Sequence, residues 1–429
     1  MEESSSPEIE NEQLVVEIEK MFLRREIQPT TECRIYKVPH HLRKWNEEAY
    51  TPQVISIGPY HHKNKKLKTM EENKERYFRS FVQRCQLNWK NLVPKLVSTI
   101  RELEERIRGC YAETIELKSD EFVKMILVDA SFILELFMKY SSRNWTSDDP
   151  MFIIPIASAI RHDLLLLENQ LPFFVLNELY LVAFPCLSNT YPFHSSNHVL
   201  IELTFKYFSR YNVHCKHARP DVKIEHFTDL LRTFHLPPPE QLPNRDTKLI
   251  EHLHSATHLQ QAGVKFDVEK RSCLDIKFEK GVLKIPCFKV DDYKEVVIRN
   301  IMALEQTRHI TSAYISDYYF VLDLLINTER DVELLSDKKI ITNYLGDNTA
   351  VKSVVNSLNK GITGVNMRAD YVDLCKKLDN FYKNPWHNWK ATLRRRYFST
   401  PWRTTSTIVA FVLLVLTCIQ AVSSIIQVV

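Results

Sequence analysis

Residues 161–180, RHDLLLLENQLPFFVLNELY, constrain the rest of the chain more than any other stretch. They are too apolar to face water and too interrupted to span a membrane, so they predict the centre of a folded core. The four leucines at 164–167 cover every face of one helical turn, and a helix that is apolar all round is a buried one. The polar island Glu168, Asn169, Gln170 then breaks the run. Pro172 biases Leu171 away from helical dihedrals while suiting the first turn of a new helix. Two buried helices meeting at a tight polar corner are expected, with Arg161, His162, Asp163 and the 168–170 island satisfying helix ends inside the core.

The same corner superficially matches the catalytic loop of a protein kinase, which reads His-Arg-Asp-Leu with Asn five residues after the Asp. Here Arg161 and His162 stand in the opposite order and Glu168 occupies the fifth position. The chain also lacks Gly-x-Gly-x-x-Gly and Asp-Phe-Gly, which excludes that chemistry. Only 7 glycines occur in 429 residues, where average usage gives about thirty. Phosphate loops, dinucleotide folds and tight-turned sheets all consume glycine, so a mainly helical fold is favoured by elimination as well as by pattern.

Hydrophobic residues at 44% and charged residues at 26% are globular values, and a net charge of +4 is too small to argue for nucleic acid. The 9 cysteines are scattered, odd in number and never in a C-x-x-C pair, which suits free thiols in a reducing compartment. The first residues have neither the basic nor the apolar region of a secretory signal. One glycosylation sequon, Asn144-Trp145-Thr146, points the other way.

Residues 1–32 are acidic and expected to be largely disordered, with one short amphipathic helix near 12–25. A mainly helical domain over 33–385 follows, with a possible lobe boundary near 185–260. Ser56-Ile57-Gly58-Pro59-Tyr60-His61-His62 breaks an alternating apolar run and leads into a basic loop at Lys63, Lys65, Lys66 and Lys68. The adjacent histidines lack a third ligand at metal-site spacing, and the lysines read most simply as a solvated loop. Helical stripes then run from Met70, from Pro94 and from Asp120. Asp129 falls on the apolar face of the last of these. With no companion nucleophile it predicts a core anchor that shares a buried polar network with Asp163 and with Arg161, His162 or the 168–170 island.

Residues 194–258 hold His194, His198, His214, His217, His226, His235, His252, His254 and His258. A metal-assisted hydrolase built on them is the alternative function, although His214-Cys215-Lys216-His217 lacks the spacing of structural zinc sites. From 264 to 286 the period switches to two, which predicts three short strands as one small antiparallel meander. Helices resume from Tyr293 to about Tyr382.

Residues 404–429 contain no charged side chain, long enough to predict a single C-terminal transmembrane helix. A basic and aromatic juxtamembrane segment over 386–403 precedes it, with Lys390, Arg394, Arg395, Arg396, Trp402 and Arg403 flanking the membrane. Positive residues stay on the cytoplasmic side, so a cytosolic domain held by a tail anchor is expected, at the plasma membrane or an endomembrane.

Ile35-Tyr36-Lys37-Val38-Pro39, the 56–61 motif followed by Met70, Glu71 and Lys74, the stretches 129–137 and 163–176, the segment 255–286 and the basic region before the span together resemble the plant family called domain of unknown function 247. The resemblance covers nearly the whole chain from about Cys33. It implies a plant origin, a largely helical domain and a C-terminal membrane anchor. Some relatives are associated with self-incompatibility in grasses, which implies recognition or signalling, and the resemblance supplies no catalytic residue. The expectation is a membrane-held, non-enzymatic interaction protein without cofactor, whose partners are the lipid bilayer and an unidentified protein.

Overall fold

The computed structural model describes residues 34–384 apart from 86, 146–148, 150, 152, 186–195 and 271–272, the terminal helix 401–428, and Asn11, Val15, Val16, Ile18 and Glu19 of the N-terminal segment. Lys390, Arg394, Arg395, Arg396 and His194 lie outside the described residues, as does the side chain of Arg403.

The first half of the chain is helical: α1 (His40–Arg43), α2 (Thr69–Arg84), α3 (Trp89–Gly109), α4 (Ser119–Ser142), α5 (Ile154–Asp163), α6 (Phe173–Ala183), α7 (Ser196–Tyr207) and α8 (Phe227–His235). Helix α4 is buried on nearly every side between Phe122 and Phe137, and α2, α3, α6 and α7 pack around it. It ends where Arg143 turns left-handed at φ 55°, the geometry that stops a helix while still bonding its last carbonyls. Helix α3 begins at Trp89, ahead of Pro94, because the Asn88 side chain accepts from the Lys90 amide and caps it.

The four leucines at 164–167 are buried as expected, but outside any helix, since α5 stops at Asp163. Their backbone groups find other partners. Gln170 Nε2 donates to the carbonyls of Leu164 (2.7 Å) and Leu166 (2.9 Å), and the Leu167 amide donates to Asn300 Oδ1 (2.8 Å). Side chains thus replace the intrahelical bonds that this apolar turn would otherwise need.

Beyond α8 come β1 (Arg245–Asp246), α9 (Ala256–Gln261), β2 (Lys265–Glu269), β3 (Lys277–Glu279), β4 (Val282–Pro286) and β5 (Phe288–Val290). The expected antiparallel meander is instead a mixed sheet of order β2-β4-β3. Strands β3 and β4 form a hairpin through Lys280 (φ 49°) and Gly281 (φ 77°), whose consecutive positive φ values match the twist of a two-residue turn. Strand β2 pairs with β4 in parallel, Lys265 opposite Val282 and Glu269 opposite Pro286. The physical reason is burial: Leu283 and Ile285 of β4 are fully buried, so this strand takes the centre and leaves β2 and β3 as edges.

The chain then returns to helix: α10 (Asp292–Arg308), α11 (Tyr314–Leu325) and α12 (Glu329–Asp337), followed by β6 (Ile341–Asn343), α13 (Asn348–Leu358), β7 (Met367–Arg368) and α14 (Ala369–Lys383). Helix α12 opens on a full capping box, Thr328 with Asp331. Two further pairs, β1 with β7 and β5 with β6, join segments far apart in sequence. One hydrophobic cluster contains residues from Ile35 to Leu378, and a smaller one joins Val38, Leu42 and Tyr50 to Leu167 and Leu304.

Helix α15 (Pro401–Val428) holds the one stretch among the described residues, Thr404–Ala421, that is long and apolar enough to cross a membrane. None of that stretch is buried within the protein, and 28 residues of helix span about 42 Å. Trp402 stands 86% exposed at its start. The protein is therefore mainly helical, with a small mixed sheet and one C-terminal helix that suits a single-pass anchor.

Candidate functional site

The polar corner at 163–170 faces an extended segment, residues 53–58, that is buried from Ile55 to Gly58 without joining any sheet. Its backbone groups must be bonded all the same. Asp163 Oδ1 accepts from the Gln53 amide (3.0 Å), and Oδ2 accepts from the amides of Val54 (2.7 Å) and Ile55 (2.8 Å). Asn169 accepts from the Ile57 amide (2.7 Å) and donates to the Ile55 carbonyl (3.0 Å) and to the Asp163 carbonyl (2.9 Å). Asp129, on α4, completes the row by accepting from the Gly58 amide (2.8 Å). Three side chains thus do for this segment what a neighbouring strand does in a sheet.

Asp129 is also half of a buried ion pair. Lys74 Nζ lies 2.6 Å from Asp129 Oδ1, 2.6 Å from Glu71 Oε1 and 2.8 Å from the Ser56 carbonyl, which occupies all three ammonium protons. Burial alone lowers the Lys74 pKa, but the charges of Asp129 and Glu71 outweigh it and hold the ammonium above its usual value. Sequence reading missed Lys74 as a partner. The signal was its place among Met70, Tyr77 and Phe81 on one face of α2, at spacings where a lysine has to be paired.

Glu168 closes the other end of the corner. Its Oε1 accepts from the Val38 amide (2.7 Å), Arg43 bonds Oε2, and His61 Nε2 lies 3.2 Å from that same oxygen. Burial raises the Glu168 pKa, and His61, Arg43 and the Val38 amide together outweigh it and leave the carboxyl below its usual value. Gln170 bridges onward, accepting from the Phe227 amide (2.8 Å) at the start of α8.

Arg161 and His162, expected in the same network, stand apart from it. Successive residues of a helix point about 100° apart, so only Asp163 at the end of α5 faces segment 53–55. Arg161 lies over the rings of Tyr207 and Tyr140, 4.9 and 5.5 Å from their centroids. His162 stacks on Tyr293 at 4.0 Å and 7°.

A cleft of about 430 Å³ opens beside the corner, bounded by Asn46, Glu48, Gln53, His162, Asp163 and Tyr293 among others. Burial pushes Asp163 up to about 6 against the pull of its three amides, and pushes His162 down to about 4. Of the cleft's two hydroxyl-bearing side chains, Thr51 donates to the Glu47 carbonyl (3.0 Å) and accepts from Arg43 (3.1 Å), and Tyr293 carries the ring stacked on His162. Both Asp163 oxygens are occupied by backbone amides, so this carboxylate is committed to holding segment 53–55.

The histidine-rich region is dispersed. His226, fully buried, accepts from the Asp229 amide and caps α8. His235 Nδ1–H donates to the Leu231 carbonyl (2.8 Å) and Nε2 lies 3.4 Å from Lys294 Nζ, while His214 contacts the His235 carbonyl (3.2 Å). His198 lies 3.3 Å from Glu202, His254 stacks on Tyr382 at 3.6 Å with His252 edge-on to it, and His217 and His258 are exposed. Among the described residues no group of three His, Cys, Asp or Glu side chains could hold a metal ion.

These buried histidines make stability depend on pH. Burial holds His162 at about 4 and His226, His235 and His309 at about 3, all below the ordinary 6.5. The unfolded chain therefore takes up protons below pH 6.5 that the folded chain refuses, and the stability contributed by neutral histidine is lost as pH falls from 6.5 towards 4. Asp163, Asp229, Asp317 and Asp323, each raised to about 6, work the other way, since their contribution is greatest below 3.8 and lost as pH rises through 6. The histidine shifts are larger, so the thermal midpoint is expected to drop between pH 6.5 and 4.5. Calorimetry across that range checks it, and a rising midpoint would contradict it.

Comparison with known proteins follows the same boundaries. The family DUF247, described as plant protein of unknown function, matches residues 35–416. UPF0481 protein At3g47200 of Arabidopsis thaliana is 30% identical over 427 residues, covering 92% of this chain and 87% of that protein. Putative UPF0481 protein At3g02645, also of Arabidopsis thaliana, is 32% identical over 152 residues, 34% of this chain and 26% of that protein. No solved structure matches the chain. With the match running from Ile35 into the apolar terminal helix, the chain belongs to the DUF247 family of plant proteins.

Proposed function

We propose that the protein is a non-enzymatic interaction module held at a membrane surface, with its helical domain in the cytosol. The observation that carries the first part is the commitment of the buried acids and amides. Asp129, Asp163, Glu168, Asn169 and Gln170 are bonded to backbone groups of distant segments, which is a structural use of residue types that a catalytic centre needs available. The exposed apolar helix α15 supports the membrane attachment. A recognition or signalling role, of which self-incompatibility is one form, is the finer version of the same reading. Stoichiometric zinc in elemental analysis of the purified protein would favour a metal-assisted hydrolase instead.

Orientation follows from charge. Lys390, Arg394, Arg395, Arg396 and Arg403 precede the span closely, and residues 404–429 carry no charged side chain. Such a bias places the basic side in the cytosol. The buried free thiols of Cys85 and Cys375 suit a reducing compartment. Protease added to sealed vesicles with the cytosolic face outward is expected to digest the domain and leave a short protected fragment containing Thr404–Ala421. A fully protected domain, or a sugar on Asn144, would overturn the orientation. Proximity labelling from the domain in plant cells is expected to mark cytosolic proteins, and exclusive marking of extracellular ones would contradict it.

A further inference from the structure

The charge of the chain is unevenly spread. Residues 34–68 carry eight basic and two acidic side chains, a net +6 against +4 for the whole protein, so the remainder is slightly acidic. The fold gathers this stretch at one place. Arg43 from α1 and His61 from the following loop meet on the same Glu168 oxygen, which sets α1 beside the loop that carries Lys63, Lys65 and Lys66. Lys360, distant in sequence, joins them: its ammonium lies 4.6 Å from the centre of the Trp45 ring, and that of Lys44 lies 5.1 Å from it.

Trp45 is 43% exposed, an indole at the surface with two ammonium groups near its ring. Lys44, Lys63, Lys65, Lys66 and Lys360 are exposed as well. Of the two acids in the stretch, Glu47 lies 3.7 Å from Arg43, and Glu48 lines the neighbouring cleft.

We propose that this face rests on the anionic headgroups of the bilayer that α15 enters, with Trp45 at the interface and the lysines over the phosphates. Indole rings partition to the headgroup region, and lysines near an anionic leaflet are attracted within a Debye length of about 8 Å. Each contact is weak, but a domain tethered to the same membrane meets it at high effective concentration. The connection is long enough: the 16 residues at 385–400 can extend to at most about 55 Å, while a domain of this length has a radius of gyration of about 20 Å. Anionic lipid is concentrated in cytosolic leaflets, so in the cell the proposal rests on the cytosolic orientation above. Its test does not, because both faces of a lipid nanodisc are open.

The full chain, reconstituted in nanodiscs of phosphatidylcholine alone or with phosphatidylserine, is exposed to a lysine-acylating reagent and read by mass spectrometry. Acylation of Lys44, Lys65, Lys66 and Lys360 is expected to slow several-fold in the anionic discs only. Lys124 and Lys376, with exposures of 75% and 59%, should react alike in both. The double reversal Lys44→Glu, Lys360→Glu should restore the rates of Lys65 and Lys66, and so should high salt. Equal rates in the two lipids would overturn the proposal, as would equal slowing of Lys124 and Lys376 or slowing that appears only when an acidic protein fraction is added. A failure here with the domain still protease-accessible on cytosol-outward vesicles would remove the docking face and leave the orientation standing.

Discussion

Asp129→Ala is expected to cost about 3–5 kcal/mol, among the largest single effects in the chain, because it strands a buried ammonium. Lys74 is wholly buried and Asp129 nearly so, and the lysine's remaining partners are Glu71 and the Ser56 carbonyl. Lys74→Met should destabilise by a similar amount, since it leaves the carboxylate with the Gly58 amide alone. Replacing both by apolar residues of similar volume relieves the stranded charge, yet the Gly58 amide and Ser56 carbonyl then lose their partners. The double variant should therefore recover only part of the loss. Urea denaturation of the four proteins checks this, and a single variant unfolding at the wild-type urea midpoint would contradict the pair's role.

Gly58→Ala is expected to be comparably severe for a different reason. Gly58 sits at φ +74°, and a Cβ added there would lie 2.6 Å from the Gln170 carbonyl oxygen, which is backbone and cannot swing away. The left-handed conformation alone costs an L residue about 1–2 kcal/mol. Gln170 O also accepts from Tyr111 Oη (3.0 Å), so moving it to relieve the clash breaks a buried bond and brings the total to roughly 3–5 kcal/mol. Gly346 separates the two contributions. It has φ +82° with nothing within 4 Å of an added Cβ, so Gly346→Ala should show only the backbone strain. Equal effects at the two positions in thermal denaturation would show that the approach to Gln170 is unimportant.

What was legible in the sequence follows period and polarity. The stripes of α2, α3 and α4 repeat every three to four residues, and the apolar run broken by Glu168, Asn169 and Gln170 marked a buried corner, because polar groups in such a run have to be bonded. Asp129 stood out as the carboxylate on an apolar face. The partners were not legible, since contacts such as Asp163 with Val54, Lys74 with Asp129 and Asn300 with Leu167 join residues 109, 55 and 133 apart and leave no local pattern. Alternation at 265–269 and 282–286 showed strands but not their order, because a two-residue period is the same for a parallel and an antiparallel neighbour. Pairs as short as β1 with β7 contain too few residues to alternate at all.

The idea that the polar corner is structural rests on the amides of Gln53, Val54, Ile55, Ile57 and Gly58, each donated to Asp163, Asn169 or Asp129. Amide hydrogen exchange of peptides covering 53–58 measures this most directly. Although the segment belongs to no helix or sheet, these amides are expected to exchange as slowly as those of α4, opening only with global unfolding. Exchange at the rate of an exposed loop would mean that the side chains do not hold the segment, and that the carboxylates at the corner are available for another use.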